Sequence, residues 1–539
     1  MASYSRLGLV LLCSCGVAAL SACGGADGVA SPGEGGIVVT PAPSPSPSPS
    51  PSPTPTPGQA ADSCPTGTTD VGIESTVDRR QCQLPATITG SLHLENLPGV
   101  VYTVSGRAAV GVDVGADGTA ADGQAAMLTI DPGVVIFGSS GADYILVNRG
   151  SQIFARGTDT QPIIMTSRNN IDGKSGAESQ SEWGGLVVLG RAPISNCNAS
   201  PANDGNLNGR ATCQNIVEGT TDALFGGAKP DDNSGTIEYL QVRYGGYAIA
   251  PDNELNGITW GAVGSGTKVD HVQVHNSSDD GMEFFGGRVN MKHVVLTGND
   301  DDNIDTDFGY KGFLQYVLVM QRPSGTSGDS IIEADSADGG EDYIPRQQTI
   351  ISNFTFVHRS QNTAAFNAVL LRGGTDYTLA NGVIVTPRTC LDIDGAQTAQ
   401  AADAAKDEMG PPVFQSVVMQ CGKAPFQDDG DIAASQIQKI FGLGSHNDAA
   451  FTPSLTAPDG GYGSFIDGAG ELAVTPYDAS TLDDFGTDGG TRVGSSNSNF
   501  FDKTNYIGAV RDASDTWWKN WTCGLSSATA PCTAVKFTS

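Results

Sequence analysis

The sequence predicts an all-β protein, a parallel β-helix with a C-terminal cap, from three observations. Short strand-like apolar segments recur 22 and 23 residues apart, at Val272–Val274, Val294–Leu296 and Val317–Val319. A second set lies between them, where Met282–Phe284 precedes Ile304–Thr306 by 22 residues. The 539 residues include 70 Gly and 29 Pro, and no segment shows a helical period long enough to cross over a sheet. Strands that recur every ~20–25 residues without helices between them are typical of a solenoid of stacked coils.

The first 22 residues are predicted to be an export signal. Arg6 provides a positive charge, and Leu7–Leu20 is an apolar segment with the length of a signal sequence rather than of a membrane span. The segment Leu20-Ser21-Ala22-Cys23 resembles the lipobox of bacterial lipoproteins. That resemblance implies that Cys23 is the acylated first residue of the mature protein, and Gly24 fits sorting to a Gram-negative outer membrane. Cleavage after Ala22 without lipid attachment is the alternative.

Three further segments are predicted after the signal. Residues 23–61 form a Pro- and Ser-rich tether, in which Pro41–Gly58 alternates proline with small residues. Because proline fixes φ and lacks a donor, this stretch is expected to be an extended spacer that holds the folded body away from a membrane. Residues 62–427 are assigned to the β-helix and residues 428–539 to its continuation and cap.

The cap prediction rests on the fading of the repeat after residue 427. A solenoid needs its last coil covered, because an open strand edge would pair with another chain. Trp517–Trp521, together with Cys523 and Cys532, are assigned to this cap. The tryptophans are interpreted as core residues rather than as ligand contacts.

The cysteines predict four disulfides in an oxidising compartment. Of 11 Cys, two are removed with the signal and Cys23 is the lipid site, which leaves eight. Proximity pairs these as Cys64 with Cys82, Cys197 with Cys213, Cys390 with Cys421, and Cys523 with Cys532. No Cys-x-x-Cys motif exists, which argues against a zinc or thioredoxin-like site.

The charge excludes some partners. The net charge is −30, and no cluster of Lys and Arg is present, so we expect no nucleic-acid binding. Direct adhesion to anionic lipid is excluded by the same argument, which leaves the Cys23 acyl anchor as the expected contact with a bilayer. An acidic surface that only keeps a secreted protein soluble is the alternative interpretation.

The alternation of side chains predicts which residues fill the core. On the first strand of each coil the inward pairs are predicted to be Leu240/Val242, Val272/Val274, Val294/Leu296, Val317/Val319, Phe354/Phe356, Val383/Val385 and Val417/Met419. On the second strand they are Ile258/Trp260, Met282/Phe284, Ile304/Thr306, Ile332/Ala334, Val369/Leu371 and Leu391/Ile393.

One outward ladder on the second strand predicts a calcium site. Its members are Thr259, Glu283, Asp305, Glu333, Leu370 and Asp392. Coils stack ~4.8 Å apart, so neighbouring carboxylates would need either a raised pKa or a bound cation. Hard oxygen ligands suit Ca²⁺, and the predicted ligands are Asp280, Glu283, Asp302, Asp305 and Asp307. Acids that face water and cap turns are the alternative.

A second outward ladder, on the first strand, consists of aromatic rings. Tyr239, His271, His293 and Tyr316 occupy equivalent positions in consecutive coils. Stacked rings could form a platform for a glycan or another flat ligand. A purely structural ladder is the alternative.

Several longer motifs resemble a family. Trp183–Pro193, Ala250–Gly257, Asp279–Gly287 and Asn299–Gly309, with Tyr506–Ala509 and Trp517–Trp521 near the end, are similar to segments of bacterial surface lipoproteins with a pectate-lyase-like β-helix. The resemblance implies a right-handed β-helix. It implies little about activity, because most members have no assigned function. Export by type II secretion machinery in similar lipoproteins would suit the tether.

The same resemblance raises an enzymatic alternative. Ser278–Gly281 is similar to the paired-aspartate segment of polygalacturonase-type hydrolases, which makes Asp279, Asp280 and Asp305 the candidate catalytic residues. The family's Gly-His-Gly and Arg-x-Lys segments are absent. A lyase would need a basic residue above calcium, and no spacing singles one out among Lys292, Lys311 and Arg372.

The favoured prediction is therefore an outer-membrane or cell-surface lipoprotein. It would act as a calcium-stabilised binding or structural module for a glycan, a nutrient or a partner protein. The alternative is an extracellular polysaccharide hydrolase or lyase.

Overall fold

The computed structural model describes residues 58–200, 212–250, 253–322, 329–336, 339–359, 367–427, 431–458, 463–482, 487–488, 491–492, 500–526, 529 and 531–538. The predicted signal (1–22), Cys23 and all of the tether before Gly58 lie outside these residues. Residues from Thr54 onward form one compact unit. No helix of the described part is long and apolar enough to span a bilayer.

Almost all regular structure is β. The strands that enter the solenoid are β1 Thr69–Glu74, β2 Arg79–Gln83, β3 Thr87–Ile88, β4 Gly90–Leu94, β5 Val100–Val104, β6 Arg107–Val110, β7 Ala126–Ile130, β8 Val135–Gly138, β9 Tyr144–Val147, β10 Gln152–Arg156 and β11 Ile163–Ser167. The strands of its middle part are β12 Gly185–Leu189, β13 Asn215–Ile216, β14 Leu224–Phe225, β15 Gly235–Arg243, β16 Ala248–Ala250, β17 Asn253–Glu254, β18 Ile258–Gly261, β19 Lys268–His275, β20 Met282–Phe285, β21 Asn290–Thr297, β22 Ile304–Asp307 and β23 Lys311–Met320.

The remaining strands are β24 Ile332–Ala334, β25 Gln348–Val357, β26 Asn367–Leu371, β27 Asp376–Thr386, β28 Thr389–Ile393, β29 Val413–Cys421, β30 Thr487–Asp488 and β31 Thr491–Arg492. The α-helices are α1 Arg168–Ile171, α2 Ala434–Phe441 and α3 Ala469–Leu472, and short 3-10 helices span Ala404–Lys406 and Ala479–Thr481.

Two large sheets wind together as a parallel β-helix, which confirms the predicted fold class. The short-strand sheet has the order β28-β26-β24-β22-β20-β18-β12-β9-β6-β3. The long-strand sheet has 15 strands, and its main path runs β1-β2-β5-β8-β11-β15-β19-β21-β23-β25-β27-β29. All neighbours within these sheets pair in parallel except β1 with β2. Each coil therefore stacks on the one before it.

Each long strand bends at one residue, so it contributes to two faces of the solenoid. The first half of β15 pairs with β10 and its second half with β11. The bend residue adopts the left-handed region, with φ between 52° and 62°, at Tyr239, His271, His293, Tyr316, Asn353, Asn381 and Ser416. None of the seven is β-branched, as expected where positive φ strains Val, Ile or Thr. The predicted ring ladder thus lies at a corner rather than on a flat strand.

The predicted core of the short strands is confirmed. Ile258, Met282, Ile304, Ile332, Val369 and Leu391 are successive Cα partners, and all belong to the main buried cluster. On the long strands Leu240, Val272, Val294, Val317 and Phe354 are likewise successive Cα partners, and these five residues and Val417 belong to the same cluster.

The predicted inward pair Val383/Val385 is wrong. Gly382 pairs with Phe354 and Val417, so Gly382 and Ile384 occupy the inward positions of β27. A Cβ on Gly382 would lie 1.8 Å from Phe354 Cζ, which shows that the phenyl ring uses the space of the missing side chain. A slip of one residue turns a strand over, and Val383 therefore packs outward against Val418 and Ile507.

The four predicted disulfides are confirmed, with the predicted partners. They are Cys64–Cys82, Cys197–Cys213, Cys390–Cys421 and Cys523–Cys532.

The region after the last coil has two parts. Helix α2 places Ile437, Ile440 and Phe441 in the main core beside β28 and β29. Residues 500–526 and 531–538, named here the strap, lie instead along the outside of the long-strand sheet. The strap reaches the first coils, where Asn96 Nδ2 donates to Thr538 Oγ1 (3.0 Å).

The tryptophans assigned to the cap belong to this strap. Trp518 and Trp521 are fully buried against Val295, Leu318 and Met320 of the long-strand sheet. Their assignment to core is therefore confirmed, but they cover a side of the solenoid rather than its last coil. Whether residues 428–539 cap the open end stays a prediction.

Candidate functional site

The acidic ladder forms because the short strands stack in register. Glu283 of β20 is the Cα partner of Asp305 of β22, and Asp305 is the partner of Glu333 of β24. The three side chains point away from the core because their neighbours in each strand point into it. The predicted column of carboxylates on consecutive coils is thus present.

A cavity of about 620 Å³ opens over this column. Its floor comes from the short strands, and its walls come from the corner loops that precede them. The acidic lining residues are Glu218, Glu254, Asp279, Asp280, Glu283, Asp300, Asp301, Asp302, Asp305 and Glu333. We name this space the acidic cavity.

Three carboxylates converge at its centre. Oxygen atoms of Asp280, Glu283 and Asp305 lie within 4.8 Å of one another. Asp280 and Glu283 are only 6% and 4% exposed. Oxygen atoms of Asp279, Asp280 and Asp301 also lie within 4.8 Å of one another, so this second group shares Asp280 with the first. The predicted ligand Asp302 adjoins both groups, because its backbone N–H donates to Asp280 Oδ1 (3.0 Å).

Part of the cluster also caps turns, as the alternative interpretation proposed. Asp280 N–H donates to Asn256 Oδ1 (3.1 Å) in the preceding coil. Ser330 N–H donates to Asp302 Oδ1 (2.6 Å) in the following one. Asn256, Asp280 and Asp302 therefore link successive corner loops through one oxygen each. Turn capping accounts for a side-chain oxygen at Asp280 and at Asp302, but neither Glu283 nor Asp305 caps a turn of the described chain in this way.

No described Lys or Arg pairs with the central carboxylates. The neighbouring cations are held at the rim, where Arg322 binds Asp300 (3.2 Å) and Arg372 binds Glu333 and Asp335. Asp305 Oδ1 is buried and has no hydrogen-bond partner among the described residues. The centre of the cavity thus combines burial, negative charge and an unsatisfied acceptor, which is costly unless protons or a cation compensate.

Burial is the main cause of the raised pKa values in this cluster. Loss of hydration, followed by repulsion from neighbouring acids, raises the pKa of Asp280, Glu283, Asp302 and Asp305 well above the ordinary range. The same causes raise the pKa of Asp279 to about 8 and that of Asp301 to about 6. Burial and mutual repulsion thus favour the protonated form of these carboxyl groups when no cation is bound.

One predicted ligand is close enough to raise the pKa of Asp305 by charge repulsion but does not line the acidic cavity. This residue, Asp307, is at the far end of β22. Of the three basic residues that could serve as the base of a lyase, Arg372 forms an ion pair with Glu333 at the rim of the cavity. Lys292 and Lys311 are on the long-strand sheet, where they bind Asp502 and Asp407.

Sequence reasoning missed three lining or supporting residues. Glu218 lies beyond strand β13 and Glu254 ends strand β17, so both come from excursions outside the repeat. Asn256 Nδ2 also donates to Glu283 Oε2. The repeat register sets Asn256 one coil before Asp280, as Ile258 precedes Met282, but nothing in the sequence indicated its contact with Glu283 or the position of Glu254.

The ring ladder forms and is covered. Ring centroids are 4.3 Å apart for Tyr239 and His271, 4.2 Å for His271 and His293, and 4.8 Å for His293 and Tyr316. Trp517 and Trp521 pack against this stack. Stacking is confirmed, and the cover favours the structural alternative. Glycan binding at these rings stays a prediction.

Comparison with known proteins gives one finding. Residues 116–452, more than half of the chain, match the family described as pectate-lyase like beta helix domain. The match includes the whole acidic cavity. Searches of curated proteins and of solved structures gave no match.

Proposed function

We propose that this chain, which belongs to the family of pectate-lyase-like β-helix domains, is a calcium-stabilised binding and structural module. Its site would be the acidic cavity, with Asp280, Glu283 and Asp305 as the central ligands and Asp302 beside them. The single observation that carries the proposal is the convergence of three carboxylates, two buried and that of Asp305 half-buried, within 4.8 Å and without an ion pair to any described Lys or Arg.

The chemistry of the donors supports calcium over other cations. All the donors are oxygens, and Ca²⁺ accepts six to eight oxygen ligands at about 2.3–2.6 Å in flexible geometry. Zinc and copper prefer sites that include nitrogen or sulfur ligands. The cavity volume of about 620 Å³ exceeds that of a single ion, so the same space could admit part of a glycan or of a partner protein.

Calorimetric titration tests this proposal directly. The purified chain, stripped with a chelator, should bind Ca²⁺ saturably and gain thermal stability, whereas Mg²⁺ should do so weakly because it demands strict octahedral geometry. Glu283→Gln with Asp305→Asn should abolish both effects. Asp122→Asn, a change of one carboxyl at an exposed site, serves as the control. Unchanged melting with calcium would contradict the proposal.

An extracellular polysaccharide hydrolase or lyase is the second candidate. It is supported by the size of the cavity and by Asp279, whose pKa of about 8 would keep it protonated as a general acid. Against an inverting hydrolase, oxygen atoms of Asp280 and Asp305 approach within 4.8 Å, closer than the ~6.5–9.5 Å that an inverting pair leaves for water. Loss of polysaccharide cleavage in Asp279→Asn, with calcium affinity retained, would favour the enzyme.

The membrane location is proposed from the sequence alone. Cys23 would carry the acyl chains that anchor the protein to the outer membrane or cell surface, with the Pro-rich tether between anchor and body. Type II secretion would be the export route. Metabolic labelling with a fatty-acid analogue should mark the wild type and not Cys23→Ser. An unlabelled wild-type protein would contradict the anchor.

A further inference from the structure

A second cluster of side chains of the types that ligate metals lies on the long-strand sheet, and none of its members lines the acidic cavity. We infer that Asp270, His271 and His293 form a site for a divalent transition-metal ion of the zinc class. His271 Nδ1 and His293 Nδ1 lie 2.8 Å and 2.7 Å from Asp270 Oδ1. The three donor atoms lie within 4.8 Å of one another, so one ion could contact all of them after small side-chain adjustments.

The fold holds the two imidazoles in place. His271 and His293 are the bend residues of β19 and β21, with φ of 55° and 56°. Register brings them together, because their neighbours Asp270 and Lys292 are Cα partners. The rings stack on each other between Tyr239 and Tyr316. Packing on both sides restricts the rings to an orientation in which both Nδ1 atoms face the same carboxylate, which is preorganisation for a ligand.

The strap supports the same geometry from outside. Trp517 lies 5.0 Å from His293 and Trp521 lies 5.5 Å from His271, between ring centroids. The neighbouring cation, Lys292, is paired through its Nζ with Asp502 (2.7 Å). Asp270 remains 42% exposed, which provides an approach for an ion and room for a water ligand.

The donor set selects the class of metal. Two imidazole nitrogens and one carboxylate oxygen suit Zn²⁺, Ni²⁺ and Cu²⁺, whereas Ca²⁺ prefers oxygen ligands throughout. Three protein ligands with a water in the fourth position is a common arrangement for zinc. Asp270 Oδ1 accepts hydrogen bonds from both rings, so each Nδ1 carries a proton. For Nδ1 to bind an ion, each ring would have to carry its proton on Nε2 instead, which is a change of tautomer.

Titration with Zn²⁺ and with Co²⁺ tests the inference on the full chain. One saturable site is expected in the presence of excess Ca²⁺, and bound Co²⁺ should give the visible absorption of a low-coordinate ion with nitrogen ligands. His293→Gln and Asp270→Asn should each weaken binding by about 10-fold or more, because loss of a direct ligand should cost at least as much as loss of a residue that only hydrogen-bonds a ligand. The control is His93→Gln, because His93 pairs with Asp131 alone at an exposed position.

Two outcomes would overturn the inference. Equal affinity in wild type and His293→Gln would show that the two imidazoles are only hydrogen-bonded to Asp270. A Co²⁺ spectrum typical of six oxygen ligands, lost in Glu283→Gln with Asp305→Asn, would place the ion in the acidic cavity. The wild-type spectrum gives this answer even if a His271 or His293 variant fails to fold.

Discussion

Polar side chains on the outside of the long-strand sheet form hydrogen bonds with the backbone of the strap. The central carboxylates on the short-strand sheet, in contrast, have no ion pair with any Lys or Arg among the described residues. Gln273 Nε2 donates to Cys523 O (3.0 Å) and Gln273 Oε1 accepts from Cys523 N–H (2.8 Å). Gln315 does the same with Asp502, at 2.9 Å and 2.8 Å. Each side-chain amide thus forms hydrogen bonds with both the backbone N–H and the backbone C=O of one strap residue.

The pattern continues toward the last coil. Asn353 Nδ2 donates to Tyr506 O (3.1 Å), and Asn381 exchanges two hydrogen bonds with Tyr477. On the short-strand sheet the outward acids Glu283 and Asp305 have no ion pair with a described Lys or Arg, and Arg372 reaches only Glu333 in the next coil. The long-strand face is thus covered by hydrogen-bonded segments of the same chain, whereas at the centre of the acidic cavity the described residues supply no cation.

The largest expected effect is on the completed face. Gln273 is fully buried, and Gln273→Leu would leave the N–H and C=O of Cys523 without their partner. At about 1–3 kcal/mol for each unsatisfied buried group, the free energy of unfolding should fall by about 2–6 kcal/mol. Denaturant unfolding measures this change.

The matched control is Gln438→Leu, the same substitution on the exposed side of α2. It should change the free energy of unfolding by about 0.5 kcal/mol or less. If the two variants were equally stable, the strap would not depend on the amide ladder and the comparison between the faces would fail.

The next effect concerns the acidic cavity and depends on pH. The raised pKa values, about 8 for Asp279 and about 6 for Asp301, mean that the folded state binds more protons than the unfolded chain, whose carboxyls titrate near pH 4. Without calcium, the contribution of these two groups to stability should therefore be complete below about pH 4 and be lost as pH rises through about 6 and about 8. Calcium at about 100 times its Kd should restore about 2.7 kcal/mol at the upper end.

Melting curves in chelator and in calcium, at about pH 5 and about pH 8, check this prediction. The gain from calcium should be larger at the higher pH, because there the ion no longer competes with bound protons. A calcium gain equal at both pH values, or a stability that rises with pH in chelator, would contradict the proposed role of the cluster.

Much of the fold could be predicted because large apolar residues recur at the same position of each coil. Ile258, Met282 and Ile304 differ in shape but share one register, and the acids Glu283 and Asp305 follow from the same alignment. The prediction failed at Val383, where the inward residue is Gly382 and carries no apolar signal. A glycine that makes room for Phe354 is invisible to a pattern based on hydrophobic side chains.

The rest of the site and the strap could not be predicted for a different reason. Glu218 and Glu254 reach the cavity from excursions that have no counterpart in neighbouring coils. The strap contacts join residues far apart in sequence, such as Gln273 with Cys523, through backbone atoms. Such contacts impose no side-chain pattern on residues 500–538, so the sequence contains no signal for their path.

The smallest expected effect returns to the long-strand sheet. Tyr316 Oη donates to Asp502 Oδ2 (3.1 Å), and Asp502 is half-exposed, so water can replace the lost partner in Tyr316→Phe. The free energy of unfolding should fall by about 1 kcal/mol or less, and calcium affinity should not change. Tyr343→Phe, at a hydroxyl without a hydrogen bond in the described part of the chain, is the control. A loss as large as that of Gln273→Leu would show that the ring ladder, rather than the amide ladder, holds the strap.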